Sequence, residues 1–396
     1  MIKKDIEMNL GKKTFFEHIG LSGIERVHSQ VFQWILDEDF EGISDEGKIK
    51  FVNDFFDIGL TNHTKIIEVL TEHKSVDIII ETEEAIIAIE NKIKSSQHSD
   101  QLNRYTELLR EEYKKPLICF FLTLVDENSG IDNWKNITYS QLRESLESLS
   151  INNTPDGIIL KEYLKTIYRL SFSLDEFLKE YLKPINSLSP SLDEPTKYKT
   201  VFKNGGLKKK KKDFTNEVNY PTEIDEIIGQ NQLETIFQKA YLNKVTTALD
   251  ESKEEIIKLK QDEVFYVKEE RGLALLGVVI KTIKPKKGSH LKSLILGMDV
   301  QGQTSKIFIT GHPYNESKAS DIPEAIVKAF QNKKTKSGFI RFNKPRTKAQ
   351  YSITKKSEYQ PENMPSVITY AKYFAKELKT ARSIIDDILN ESNTTD

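Results

Sequence analysis

The chain of 396 residues holds a single cysteine and four methionines. One cysteine excludes an intrachain disulfide framework and a cysteine-based zinc site. Set inside LICFFLTL, Cys119 reads as a small buried core residue. Long apolar runs are also missing. None approaches the ~20 residues that cross a bilayer, and no N-terminal apolar segment precedes a cleavage site. The expectation is a cytoplasmic protein with no membrane contact. No Gly-rich loop ends in Lys-Ser/Thr, and His-Glu-x-x-His does not occur. Their absence removes the P-loop and zincin readings. No internal repeat is present.

What the chain does have is charge, unevenly spread. The net charge is −2, yet residues 1–200 carry 24 basic against 35 acidic side chains, about −11. The remainder carries 34 against 25, about +9. An acidic half followed by a basic half points to a second half that handles polyanions. At this length two domains, each with its own core, are expected.

The most informative stretch is Val76–Lys92, VDIIIETEEAIIAIENK. Two isoleucine-rich runs, Asp77–Glu81 and Ala85–Ile89, favour strands, and Thr82-Glu83-Glu84 between them predicts a tight connection. In an antiparallel hairpin an even loop such as Glu83-Glu84 puts Asp77 and Glu90 on one face. Lys92, two residues beyond Glu90, shares it. A three-residue loop without a bulge would separate the carboxylates. Two carboxylates and an ammonium at the open end of an apolar hairpin suit Mg²⁺, a hard ion that takes one or two carboxylates. The carbonyl of Asn91 would add a third oxygen. Lys92 would position or activate an attacking water and offset charge on a phosphate. In a chain that is 30% charged, the competing reading is a solvated strand edge with a cross-strand ion pair.

The surroundings favour the first reading. Ile66–Leu70 is a further strand candidate upstream. Downstream, Gln97–Glu112 is amphipathic, with Leu102, Tyr105, Leu108 and Leu109 at helical spacing and Gln101 and Tyr105 on one face. The apolar strand 116–124 follows, suited to burial on both faces. This order resembles the PD-(D/E)XK nuclease superfamily over roughly residues 15–150. Asp77, Glu90 and Lys92 match its metal-and-lysine motif, while Gln101 and Tyr105 match the Gln-x-x-x-Tyr motif of RecB-like members. Val76 stands where the family name has proline.

The resemblance implies an α/β fold, a restriction-endonuclease-like mixed β-sheet flanked by helices. It also implies Mg²⁺ as cofactor, with Mn²⁺ substituting, and phosphodiester hydrolysis that leaves a 5′-phosphate. DNA is the expected polymer and RNA the alternative. A role in bacterial antiphage defence or restriction is expected. The rival is a catalytically silent nucleic-acid-binding or sensor protein on the same fold. The requirement of duplex cleavage for two active sites is the argument for a homodimer. In such enzymes a first-helix Glu reaches the metal site, and Glu25 is the match. Ser22 with Glu25 equally spells a capping box. That helix shows an apolar stripe of Ile24, Val27, Val31, Trp34 and Ile35, with His28 off it at the surface or core edge.

The nuclease-like domain is expected over 1–184. Its remaining elements are helices at Lys48–Phe56, Tyr139–Leu149 and 157–184, with a short strand at Asn136–Tyr139. Residues 185–222, with Pro190, Pro195, Gly205, Gly206 and the run Lys208–Lys212, read as a linker. A separate α+β domain is expected over 223–396: helical 223–260, four strand-like runs, then helices Ile322–Gln331 and Pro365–Leu389. It would bind nucleic acid or receive a regulatory partner or signal. Its stretch 333–356 alternates basic residues with Phe339, Phe342 and Tyr351. That pattern suits base stacking, or a basic hairpin with its aromatics turned inward.

Overall fold

The computed structural model describes residues 12–61, 63–94, 101–127, 129–182, 222–251, 260, 263–270, 273–285, 287–302, 304–336, 341–343, 350–357 and 365–393. The run Lys208–Lys212 and the rest of the expected linker up to Pro221 lie outside the described residues, as do Gln97–Asp100 and Phe339. Among the described residues, those up to Phe177 together with 222–237 form one compact unit. Residues 178–182 and those from Gln238 onward form the other.

In the first unit, helices α1 (Phe15–His18), α2 (Glu25–Leu36) and α3 (Asp45–Phe56) precede strands β1 (Ile66–His73), β2 (Val76–Thr82) and β3 (Ile86–Lys92). β1 and β2 are antiparallel, with His73 opposite Val76. Lys74 and Ser75 at the bend have φ of 50° and 71°. That geometry turns strands sharply and normally recruits Asn or Gly. β2 and β3 are also antiparallel, with Ile78 opposite Ile89 and Ile80 opposite Ile87. Glu83-Glu84 is the two-residue loop between them, closed by the Thr82 N–H donating to the Ala85 carbonyl at 2.9 Å. The Thr82 hydroxyl, itself buried, accepts the Ala85 N–H at 2.9 Å. The even loop is therefore the one the chain uses.

Helix α4 (Gln101–Glu112) carries the chain over to β4 (Leu117–Thr123), which runs parallel to β3. A parallel pair needs such a crossover. β5 (Trp134–Thr138) adds in parallel, so the mixed sheet has the order β1-β2-β3-β4-β5. One sheet face packs Ile79, Ile86, Ala88, Cys119, Phe121 and Trp134 against Leu102, Tyr105 and Leu109 of α4. Each fully buried aliphatic or aromatic side chain contributes about 1.5–3 kcal/mol. Burial pushes the Cys119 thiol up to about 12, and it stays an inert core residue. On the opposite face Phe120 meets Phe56 of α3, ring centres 4.7 Å apart. Helices α5 (Tyr139–Glu147), α6 (Pro155–Leu182), α7 (Glu223–Asn231) and α8 (Glu234–Asp250) follow. The single helical stretch expected from 223 is thus broken at Gln232, which takes the left-handed conformation with φ 56°.

The second unit is built on a separate antiparallel sheet, order β10-β11-β9-β8-β7-β6. Its strands are β6 (Val264–Glu270), β7 (Leu273–Ile283), β8 (Ser293–Gln301), β9 (Thr304–His312), β10 (Arg341–Asn343) and β11 (Gln350–Lys356). Helices α9 (Glu324–Lys336) and α10 (Val367–Asn393) accompany it. Phe374 of α10 meets Phe265 of β6 edge-on, and Glu377 accepts from Ser305 of β9 at 3.1 Å. β10 and β11 form the hairpin at the sheet edge, where Phe342 and Tyr351 stack on each other, half-buried. No helix among the described residues is long and apolar enough to cross a membrane.

Candidate active site

Side chains alternate along a strand, so Asp77 shares a face with Ile79, and Glu90 and Lys92 share a face with Ile86 and Ala88. All three belong to the α4 side of the sheet. Continuing the hairpin register by one pair sets Asp77 opposite Glu90. The Lys92 ammonium lies 2.7 Å from Glu90 Oε1 and 3.6 Å from Asp77 Oδ2. The three residues read as a constellation do converge.

Helix α4 lays Gln101 across the same carboxylate. Gln101 Nε2 donates to Glu90 Oε1 at 2.9 Å and to the Tyr105 hydroxyl at 2.6 Å. Tyr105 sits one helical turn on, buried in the core cluster, and so anchors the amide from below. Glu90 Oε1 therefore has two donors. Glu90 Oε2 is buried and has no hydrogen-bond partner. The Asp77 carboxylate accepts the Asn91 N–H through Oδ2 at 2.7 Å.

Burial raises Asp77, and Lys92 opposes that rise. Burial and the neighbouring Asp77 charge push Glu90 up to about 7. Burial alone would lower Lys92, but Glu90 and Asp77 outweigh it and hold its ammonium above the usual lysine range. Two carboxylates that resist ionisation beside a fixed cation form a site poised for additional positive charge.

Glu25 is not a cap. The N-cap of α2 is Ile24, without a side-chain hydrogen bond. Glu25 instead reaches the end of β3, where its Oε1 accepts the N–H groups of Ile93 at 2.8 Å and Lys94 at 3.0 Å. The capping-box reading fails because this carboxylate finds two backbone donors 68 and 69 residues away. Its charge also acts on Asp77, Glu90 and Lys92.

Other contacts around the site left no local signal. The Asn91 side chain, on the far face of β3, donates to the Glu25 carbonyl at 3.0 Å and to the Ser29 hydroxyl at 3.2 Å. It accepts from the buried Tyr139 hydroxyl at 2.8 Å. Asn91 is thereby locked, and with it the strand between Glu90 and Lys92. Thr123 lies beside Lys92 in the parallel register, and its buried hydroxyl has no partner.

The α2 stripe is rotated from the one expected. Val31 and Ile35 are buried, but so are His28, Ser29, Phe32 and Leu36, while Ile24 is exposed. Polar side chains claimed from below turn the helix. His28, expected nearer the surface, is buried and hydrogen-bonded to the Tyr163 hydroxyl and the Ser22 carbonyl, each at 2.9 Å. Burial lowers it to about 4. A folded value below the unfolded 6.5 means that the stabilisation is present above pH 6.5 and is lost as pH falls towards 4. That loss amounts to about 3 kcal/mol. Thermal unfolding followed from pH 7 to pH 4 should therefore show a flatter acid limb for His28→Gln than for wild type. Identical limbs would contradict this account of His28.

No curated protein and no solved structure matches the chain. A family model, described as PD-(D/E)XK nuclease superfamily, matches residues 14–191. The match spans the sheet, α4 and the Asp77–Glu90–Lys92 convergence. Over these residues, the N-terminal part of the chain is similar to the PD-(D/E)XK nuclease superfamily.

Proposed function

We propose that the protein is a Mg²⁺-dependent nuclease that hydrolyses phosphodiester bonds in DNA, with Asp77, Glu90 and Lys92 at its centre. The observation that carries this reading is Glu90 Oε2, buried and unpartnered beside Asp77 and Lys92. A buried unsatisfied group costs about 1–3 kcal/mol, more when charged. A cation at that oxygen removes the cost. Gln101 and Lys92 occupy Oε1 and leave Oε2 for it.

The donor set fits a hard ion. Among the described residues no group of three or more His, Cys, Asp or Glu side chains is disposed to hold a metal. The cation would rest on Asp77, Glu90, the Asn91 carbonyl and water, the sparse oxygen set that Mg²⁺ accepts. In an extended strand a residue's N–H and C=O point to the same side, and the Asn91 N–H is given to Asp77. A ligand role for the Asn91 carbonyl would follow from that shared side of the strand. Mn²⁺ would substitute, having the same ligand preference.

When bound, Mg²⁺ supplies positive charge against the charge that develops on the phosphate. The chain's own residues do the rest. Lys92, held charged, positions the attacking water and offsets phosphate charge, rather than removing a proton from water. Gln101 orients the water or a phosphate oxygen, Tyr105 fixes Gln101, and Glu25 braces the end of β3. Water adds to phosphorus, the P–O bond to the 3′ oxygen breaks, and the proton that water loses is balanced by the one the 3′ oxygen gains. The products are a 5′-phosphate and a 3′-hydroxyl. Family resemblance supports DNA as the polymer and antiphage defence or restriction as the setting. The C-terminal unit would then receive the signal or partner.

The test is incubation of the purified chain with plasmid, linear duplex, single-stranded DNA and RNA, in Mg²⁺, Mn²⁺ or EDTA. Metal-dependent cutting of DNA is expected, and cutting confined to RNA would replace the substrate. No cutting together with no divalent-cation binding by calorimetry would remove the nuclease reading.

A further inference from the structure

The strand that carries Glu90 and Lys92 ends at Lys92, and its continuation is held from elsewhere. Glu25 takes the N–H groups of Ile93 and Lys94, so the end of β3 sits where Glu25 puts it. Glu25 is the first residue of α2, and its place depends on how Ser22-Gly23-Ile24 enters the helix.

That entry has no cap of its own; α7 holds it. The Ser22 hydroxyl donates to Asn231 Oδ1 at 2.5 Å, with both side chains buried. Asn231 Nδ2 donates to the Ile227 carbonyl at 2.8 Å, which orients the amide. Gly23 packs against the side chains of Asn231 and Lys94. A Cβ there would stand 2.9 Å from Lys94 Cε and 3.0 Å from Asn231 Oδ1, so a larger residue would push against both side chains. Glu234, at the start of α8, shares with Glu25 the charge that acts on Lys94. α7 is itself tied down by Arg169 to Glu223 at 2.8 Å and by Lys13 to Glu226 at 3.0 Å. All these residues belong to one compact unit, yet α7 lies beyond residue 191, where the family match ends.

We propose that Asn231 is a positioning residue of the nuclease site, which clasps the start of α2 so that Glu25 holds the end of β3 in place. The nuclease unit of this chain is then discontinuous in sequence, completed by a segment from the far side of the expected linker. Only the catalytic consequence rests on the nuclease reading.

Amide hydrogen exchange on the full chain tests it, comparing wild type, Asn231→Ala, Ser22→Ala and the double variant. The N–H groups of Ile93 and Lys94 should exchange about tenfold faster in either single variant, with Ile87 and Ala88 in mid-strand unchanged. The double variant should add little to either single one, because both remove the same bond. Cleavage should lose about tenfold in kcat with KM within about twofold. Unchanged exchange at Ile93 and Lys94 would overturn the proposal. So would a uniform rise along β3, which marks simple destabilisation. Loosened amides with wild-type kcat, in an enzyme that cleaves, would overturn the positioning role. Ser22→Ala removes only a hydroxyl and carries the test if Asn231→Ala does not fold. Exchange needs no substrate, so it judges the clasp separately from the nuclease reading.

Discussion

Lys92→Met should lower DNA cleavage by about 10³-fold or more while leaving the sheet folded. The methionine keeps the packing of the stem and deletes only the ammonium. What is lost is the cation 2.7 Å from Glu90 and 3.6 Å from Asp77, the group placed to offset charge on a bound phosphate. The fold tolerates the change because burial already favours the neutral form of both carboxylates. Removing Lys92 pushes them further in that direction instead of stranding two buried charges. Initial rates on plasmid DNA, with circular dichroism melting in parallel, measure both halves. A folded Lys92→Met enzyme within tenfold of wild type would remove Lys92 from the chemistry.

Glu90→Gln should separate stability from function. In the metal-free protein Glu90 is pushed up to about 7, above its unfolded value of 4.5. A raised folded value means stability that is full below pH 4.5 and is lost as pH rises through about 7. The shift corresponds to roughly 3 kcal/mol at alkaline pH. That shift is already net of the ion pair with Lys92, and the buried glutamine amide, polar in the same place, keeps part of the cost. Glu90→Gln should therefore be about 2 kcal/mol more stable than wild type at pH 8 in EDTA, and no more stable near pH 4.5. With Mg²⁺ the order reverses. Wild type gains stability by mass action, whereas the variant has lost the oxygen that would hold the ion. Denaturant unfolding at the two pH values, with and without Mg²⁺, reads all four states. Equal stabilisation of both proteins by Mg²⁺ would place the ion away from Glu90.

What the sequence reveals here is local and periodic. The alternation of the two isoleucine runs and the pair Glu83-Glu84 suffices to bring Asp77 and Glu90 together, because strand parity allows no other arrangement for an even loop. The spacing of Gln101 and Tyr105 likewise places both on one face of α4, above Glu90. What stayed hidden depends on partners far along the chain. Glu25 fits a capping box as well as a first-helix Glu at the site until the end of β3 supplies two better donors. Tyr139 reads as an ordinary helix residue until Asn91 needs an acceptor satisfied on the far sheet face. The turn at Lys74-Ser75 lacks the Gly or Asn that normally signals it. His28 and Ser29 rotate α2 because buried polar groups outweigh one turn of apolar periodicity.

The most direct measurement is cleavage of duplex DNA by wild type and Asp77→Ala, prepared identically, in Mg²⁺ and in EDTA. The account predicts cutting by wild type in Mg²⁺ alone, with Asp77→Ala inactive in both. Equal cutting by the two proteins would contradict it, since the activity would then belong to another site or another protein.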